Sequence, residues 1–377
     1  MRELKLAETF PPGDVIREEL EERGWRQGDF AKILGWPISA VNELLSAKRS
    51  ITVATAKKLE EALGVPAETW LNLESQYQLS RVADECAGEV QQRARLYEIG
   101  PIREMEKRGW IKKTRTIGDL QEALKEYYET DSLDCPPVIP AAARQAANMP
   151  GEKMTGEQTA WCFRGRWMAK QLPAKRFTKS AFEAGLAKLK ALASEPEEAR
   201  HVPKVLSDMG VRFLIIQHLN RTRIEAATIW LGNSPVVAMS LRYDRIDYFW
   251  HTLMHELSHV RHKDASHVDA DFVKEGKLRA REGTRTERRA DEEAAALLIA
   301  PDEMKDFILR TRPYYSKERI IGFARRVGIH PGIVAGQLQH REEIDYRANR
   351  EMLVKIRHIV SPHAPVDGWG QVFSLSG

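Results

Sequence analysis

The stretch HTLMHELSHVRH (residues 251–262) gathers histidines around a single glutamate. The period on which its apolar residues recur decides what is built around it. Phe249, Leu253, Leu257 and Val260 recur at helical spacing, so the segment from about Tyr248 to His262 reads as an amphipathic helix. Residues four apart on a helix lie one above the other. His255 and His259 therefore face the same way, and two imidazoles so placed can share one ion. Glu256 is turned by about 100° from His255. It is poorly placed as a ligand and well placed to take a proton from a water activated beside the ion. That division of labour is the chemistry of the H-E-x-x-H pattern.

A catalytic zinc takes three protein ligands and keeps one position open. His262 lies on the same face, but three ligands on one straight helix do not easily surround an ion. It is assigned a position behind the ligands, contact with substrate, or plain exposure. A histidine ten residues after His255 would mark a metzincin; that position is Ala265. The remaining candidate is downstream, in RTERRADEEAAALLIAP (285–301). Glu287 opens this helical segment as the expected third ligand. Asp291, one turn later, is expected to accept the free N–H of a ligand histidine and so fix its tautomer. Glu292 and Glu293 are the rival carboxylates, read as solvated helix charge. His262, Tyr243 and Arg242 are candidate donors to a developing oxyanion.

Around this helix the period changes. VRFLIIQHL (211–219) and ATIWLGNSPVVAMSL (227–241) are rich in β-branched and aromatic residues and are separated at Gly232-Asn233-Ser234 by a turn. They read as strands of a small sheet. The polar stretch 263–286 reads as a loop, and the C-terminal third as helices with a turn at GIHPG (328–332), where His330 is a capping or packing residue. The proline-dense CPPVIP (135–140) is a boundary candidate. The expected class is mainly α with a small β-sheet (α+β). The expected division is 1–80, 81–150 as a helical linker, 151–312 as the core around the histidines, and 313–377 as a helical extension.

The 377 residues, 42% hydrophobic and 30% charged, suffice for two or three domains. A net charge of +4 does not by itself demand nucleic acid. Three separated cysteines, Cys86, Cys135 and Cys162, form neither a zinc ribbon nor a disulfide framework, and free thiols fit a cytoplasmic protein. No apolar run reaches membrane-spanning length and MRELKLAETF has no apolar signal core. There is no phosphate-binding Walker loop and no dinucleotide fingerprint.

Residues 14–80 read as five short helices. Within them QGDFAKILGWPISAVNELLSAKR (27–49) has the dimensions of a helix-turn-helix. Its second helix would present Ser39, Asn42 and Glu43 to base edges, with Lys48 and Arg49 on phosphates. Residues 1–80 hold ten Lys/Arg and thirteen Asp/Glu, yet 44–58 hold four bases and no acid. The expected basic face is thus local, and a dimer reading two half-sites would bind more tightly than a monomer. The same bundle could instead bind a protein.

Two resemblances follow from these residues. PPGDVIREEL, the LLSAKRSIT run and ETWLNLESQYQL resemble the HigA-type branch of the Xre/Cro-like repressor and antitoxin family, which implies operator DNA, a homodimer and a toxin partner. MSLRYDRIDYFWHTLMHELSHV (239–260), the ERRAD and AALLIAP segments (287–301) and SKERIIGFARRVGIHPGIVAGQLQ (316–339) resemble the ImmA/IrrE family of zinc metallopeptidases. That resemblance implies a gluzincin-like metallopeptidase domain with one Zn2+ per chain (Mn2+ as the alternative). It puts His255, His259 and Glu287 on the metal, Glu256 as base, and a repressor or antitoxin as protein substrate. This sequence departs from the family at Arg289, where relatives often carry a second glutamate, and at Glu293 or Ala294, where they carry phenylalanine. The rival reading is an antitoxin-like repressor in which the peptidase fold senses a ligand or metal without cutting.

Overall fold

The computed structural model describes residues 10–135, 137, 154–220, 222, 224–264, 267–270, 273–274, 277–278 and 285–373. The chain divides into two compact units, 1–94 and 95–377. No helix among the described residues is long and apolar enough to cross a membrane. The CPPVIP boundary falls almost wholly outside the described residues, as do Arg279 and Arg281 of the polar stretch 263–286.

The first unit holds α1 (Pro12–Glu22), α2 (Gln27–Leu34), α3 (Ile38–Leu45), α4 (Val53–Leu63) and the start of α5 (Ala67–Ile99). Its core is Ile16, Leu20, Phe30, Leu34, Val41, Leu44, Leu59 and Trp70. The Thr52 hydroxyl caps α4 by accepting from Thr55 N–H at 3.3 Å. Gly35 ends α2 at φ 66°, a left-handed turn that glycine enters without a Cβ clash. The fifth helix, expected to stop near Leu79, runs for 33 residues. No proline interrupts it before Gly100-Pro101, and only a breaker or an end-cap halts a helix.

The second unit begins with α6 (Ile102–Lys107), α7 (Ile117–Tyr128), α8 (Gly156–Gln171), α9 (Lys179–Leu192) and α10 (Val202–Asp208). Strands β1 (Arg212–Ile216), β2 (Ile224–Leu231) and β3 (Ser234–Met239) follow, then α11 (Ile246–His262). Next come β4 (His267–Ala270), the two-residue strands β5 (Val273–Lys274) and β6 (Lys277–Leu278), and helices α12 (Arg285–Leu298), α13 (Pro301–Thr311), α14 (Lys317–Val327) and α15 (Pro331–His340). A short helix α16 (Arg357–Val360) and β7 (Val366–Asp367) close the described chain. The main sheet has the order β4-β2-β3-β1-β7. The β2–β3 hairpin is antiparallel, whereas β1 runs parallel to β3 and β7. The class is α+β, as the periodicity predicts. Four elements correct the sequence reading: β4, β5 and β6 lie in the stretch 263–286 read as loop, and β7 adds a strand in a tail read as helical.

Both faces of the sheet are covered, which is why its strands read as near-continuous apolar runs. Phe213, Ile215, Ala226, Val237 and Met239 belong to one core with α9–α15. Leu214, Ile216, Ala227, Ile229 and Val236 belong to the other, with α6, α7 and α8. Residues read as a linker (α6, α7) and as an extension (α14, α15, β7) thus share these two cores with the strands. Helix α11 lies in the first core: Trp250, Leu253 and Leu257 are fully buried, each worth about 1.5–3 kcal/mol against exposure. The apolar stripe fixes the helix's rotation, and with it the direction of His255 and His259.

Candidate functional site

His255 and His259 bring their Nε2 atoms to 3.0 Å of each other. The Glu287 carboxylate, from the first turn of α12, stands 3.6 Å from His255 Nε2 and 3.7 Å from His259 Nε2. One ligand atom from each of the three lies within 4.8 Å of the others. Ligands held tetrahedrally at about 2.0–2.1 Å from an ion stand about 3.3 Å apart, so these edges fit a zinc-sized ion. The donor set, two imidazoles and a carboxylate, also fits zinc. His255 and His259 are fully buried and Glu287 is 5% exposed.

Each imidazole is held from behind. His255 Nδ1 is 2.8 Å from Asp291 Oδ1 and His259 Nδ1 is 2.8 Å from Asp264 Oδ2. A carboxylate there fixes the ring tautomer and leaves Nε2 as the free lone pair. Burial pushes the Asp291 carboxyl up, but the His251 and His255 rings outweigh it and hold it well below the usual range. Asp264 behaves alike: burial raises it, and His259 and Arg289 more than offset that. The sequence reading named Asp291 and missed Asp264. The signal was present in Lys263-Asp264, immediately past the helix end. Lys263 takes a left-handed conformation, its N–H bonds Val260 C=O, and Asp264 N–H bonds His259 C=O. This reversal, a Schellman motif, folds Asp264 back beside His259.

Glu256, fully buried, accepts from the Thr228 hydroxyl at 2.5 Å. Thr228 sits on β2 on the same face as Ala226, so the sheet positions the carboxylate from below. Cys162 lies close enough for the Glu256 charge to act on it. Burial, reinforced by that charge, pushes its thiol far up, which leaves it no role as a thiolate. His251, also missed from sequence, reaches Asp291 Oδ1 at 3.8 Å.

His262 is not behind the ligands. Its Nε2 is 2.7 Å from Glu293 Oε1, and Glu293 also accepts from Ser258 at 2.7 Å. Seven residues past His255 is nearly two full turns, so His262 keeps that face but stands about 10 Å farther along the helix, where it meets Glu293 of α12. Of the other oxyanion candidates, Arg242 lies over the Tyr243 ring, and Tyr243 packs on Tyr248. His330 caps α15 by accepting from Gly332 N–H at 3.1 Å.

In the first unit, Ala40, Val41, Leu44 and Leu45 turn α3 into its core, which leaves Ser39, Asn42 and Glu43 exposed, as are Lys48 and Arg49 just beyond. The guanidinium of Arg49 and the ammonium of Lys58 lie over the Trp36 ring at 5.2 and 5.3 Å. These cation–π contacts hold two positive charges beside the turn. Arg49 also stands 3.9 Å from Glu43, an exposed pair of little energetic weight. Ile38, at the first position of α3, is 54% exposed and was not foreseen.

A family model described as "Helix-turn-helix" (HTH_3) matches residues 16–70. The chain is 35% identical over 80 residues to "Virulence-associated protein A'" of Dichelobacter nodosus, covering 21% of this chain and 70% of that protein. It is 32% identical over 77 residues to "Uncharacterized HTH-type transcriptional regulator YddM" of Escherichia coli (strain K12), covering 20% of this chain and 82% of that one. A solved structure of an addiction module antidote protein of a HigA family from Coxiella burnetii is 29% identical, covers 22% of this chain and 94% of that chain, and has a TM-score of 0.22.

Proposed function

We propose that this chain, which belongs through residues 16–70 to the helix-turn-helix family, is a DNA-binding transcriptional regulator that carries a zinc-dependent endopeptidase centre in its second unit. The observation that carries the enzymatic half is the convergence of His255, His259 and Glu287 with a carboxylate behind each histidine. A divalent ion held there would supply Lewis acidity toward water and a peptide carbonyl. The rest is the work of the chain. Asp291 and Asp264 orient the two imidazoles. Thr228 fixes the Glu256 carboxylate, which takes the proton of the attacking water and delivers it to the leaving amine.

The exposed face of α3 with Lys48 and Arg49 supports binding to an operator. The relative named as an HTH-type transcriptional regulator supports a regulatory setting; within it the chain is read as a homodimer that engages a toxin and acts on a repressor or antitoxin protein, which the family resemblances imply. Metal analysis of the purified chain, with cleavage of co-expressed neighbouring gene products compared between wild type and Glu256→Gln, tests the enzymatic half. Zinc at one equivalent with cleavage lost in the variant is expected; a metal-free protein or unchanged cleavage overturns it. Gel shift on the gene's own promoter, with and without Arg49→Ala, tests the other half.

One observation favours a second reading. His255, Glu256 and His259 expose no surface, so a site of this kind also suits an antitoxin-like repressor whose metal centre senses without cutting. Under that reading Glu256→Gln leaves repression and every co-expressed protein unchanged.

A further inference from the structure

A groove of about 1300 Å³ opens where α11 ends, between the β2–β3 hairpin and the segment after α8. Among the described residues, six cations line it, Arg166, Lys170, Lys175, Arg176, Arg212 and Lys263, against one acid, Asp264. Glu129 pairs with Arg166 and Lys170, and Asp208 with Lys175. Among the described residues, Arg176 and Lys263 make no ion pair, and both are exposed.

Arg212 supplies an independent sign. Its Nε donates to Leu172 C=O at 3.1 Å and its Nη1 to the Ser234 hydroxyl at 2.5 Å. Both partners are neutral, and burial pushes its pKa down. A guanidinium partly removed from water and given only neutral acceptors gains most from an arriving carboxylate, which it can hold through two parallel N–H bonds.

The groove adjoins the metal centre. Asp264 lines it and also holds His259, and Trp230 Nε1 donates to Asp264 C=O at 2.9 Å. The aromatic rings in its wall, Phe177 and Trp230, meet edge to face at 6.0 Å. They are engaged with each other and do not form the open stacking platform that a nucleic-acid strand requires.

We propose that this groove binds an acidic stretch of the polypeptide on which the metal centre acts, so that negative charge flanking the scissile bond selects the substrate. The proposal rests on the peptidase reading and names its substrate class.

The test uses the full chain carrying Glu256→Gln, so that nothing is cut. A fluorescein-labelled decapeptide of alternating Glu and Ser is titrated by anisotropy, with a Lys/Ser decapeptide and a random 12-nucleotide single strand in parallel. The acidic peptide is expected to bind and the basic one not, with affinity falling as salt rises. Arg176→Glu with Lys263→Glu is expected to weaken acidic-peptide binding at least tenfold. Arg176→Gln with Lys263→Gln, which adds no repulsion and keeps both positions polar, is expected to lose less. Equal affinity in the wild-type groove and the doubly reversed one overturns the proposal. So does a DNA strand that binds more tightly than the peptide and is lost with the same substitutions. Binding is read without turnover, so if the Glu256→Gln chain holds the peptide while the chain that keeps Glu256 cuts no co-expressed protein, the peptidase reading fails and the groove does not.

Discussion

Asp264 Oδ2 lies 2.8 Å from His259 Nδ1, although the two residues are only five apart and Asp264 is outside the helix that carries the histidine. The left-handed Lys263 makes this contact, and Arg289 on α12 steadies the same carboxylate. Asp291 does the same for His255 from a different helix. The candidate centre therefore has two separate supports.

Removing either support should loosen the metal without removing a ligand. Asp264→Asn and Asp291→Asn are each expected to lower zinc affinity by about 10–100-fold, read by competition with a chromophoric chelator. Affinity unchanged in both would mean that the carboxylates do not position the rings.

Metal binding to the folded chain alone stabilises it by mass action. Free zinc at about one hundred times its dissociation constant contributes about 2.7 kcal/mol, so a strong chelator should lower the melting temperature of the second unit by several degrees. His255→Ala should melt at one temperature whether zinc or chelator is present. A zinc-dependent shift persisting in His255→Ala would place the ion elsewhere.

Thr228 and Glu256 should separate base chemistry from metal binding. Glu256→Gln is expected to keep its zinc and lose about 10²–10⁴-fold in turnover. Thr228→Val removes the hydroxyl that donates to the carboxylate and should cost about 1–3 kcal/mol in stability, with a smaller loss of turnover. Thermal melting and metal content of both variants check this; a Thr228→Val protein as stable as wild type would show that the contact contributes nothing.

On the helix-turn-helix, Asn42→Ala is expected to cost about 1–3 kcal/mol on the operator and relax preference at one base pair. Arg49→Ala should weaken all sequences alike and reduce the salt slope by about one. Glu43→Gln removes a negative charge from the same face and should tighten non-specific binding. Gel shifts at three salt concentrations distinguish the three, and an Arg49→Ala slope equal to wild type would take Arg49 off the phosphates.

Asp367 on β7 is 2% exposed and accepts from Trp110 Nε1 at 2.8 Å and from Arg164 Nε at 2.5 Å. Asp367→Ala leaves the Arg164 charge buried without its partner and is expected to destabilise by about 3–5 kcal/mol. The double change Arg164→Met with Asp367→Leu should recover much of that. Urea unfolding of the three proteins provides the measurement, and a double variant no more stable than the single one would contradict the assignment.

The sequence by itself determined what depends on a local period. Phe249, Leu253 and Leu257 recur at helical spacing, and that rotation alone puts His255 and His259 on one face. The β-branched and aromatic runs in 211–219 and 227–241 marked the strands, and Gly35 between two short apolar helices marked the turn of the helix-turn-helix. Glu287 and Asp291 were legible because they also stand one helical turn apart. Tertiary structure decided whatever depends on chain reversal or on a neighbour distant in sequence. Lys263 carries Asp264 back to His259, Thr228 reaches Glu256 from a strand, and Glu293 draws His262 away from the site. The two-residue strand β7 exists because β1 offers it an edge, and β4 because β2 offers another. A period is written in consecutive side chains; a hydrogen-bond partner brought in from another element is chosen only when the two cores on either side of the sheet have closed.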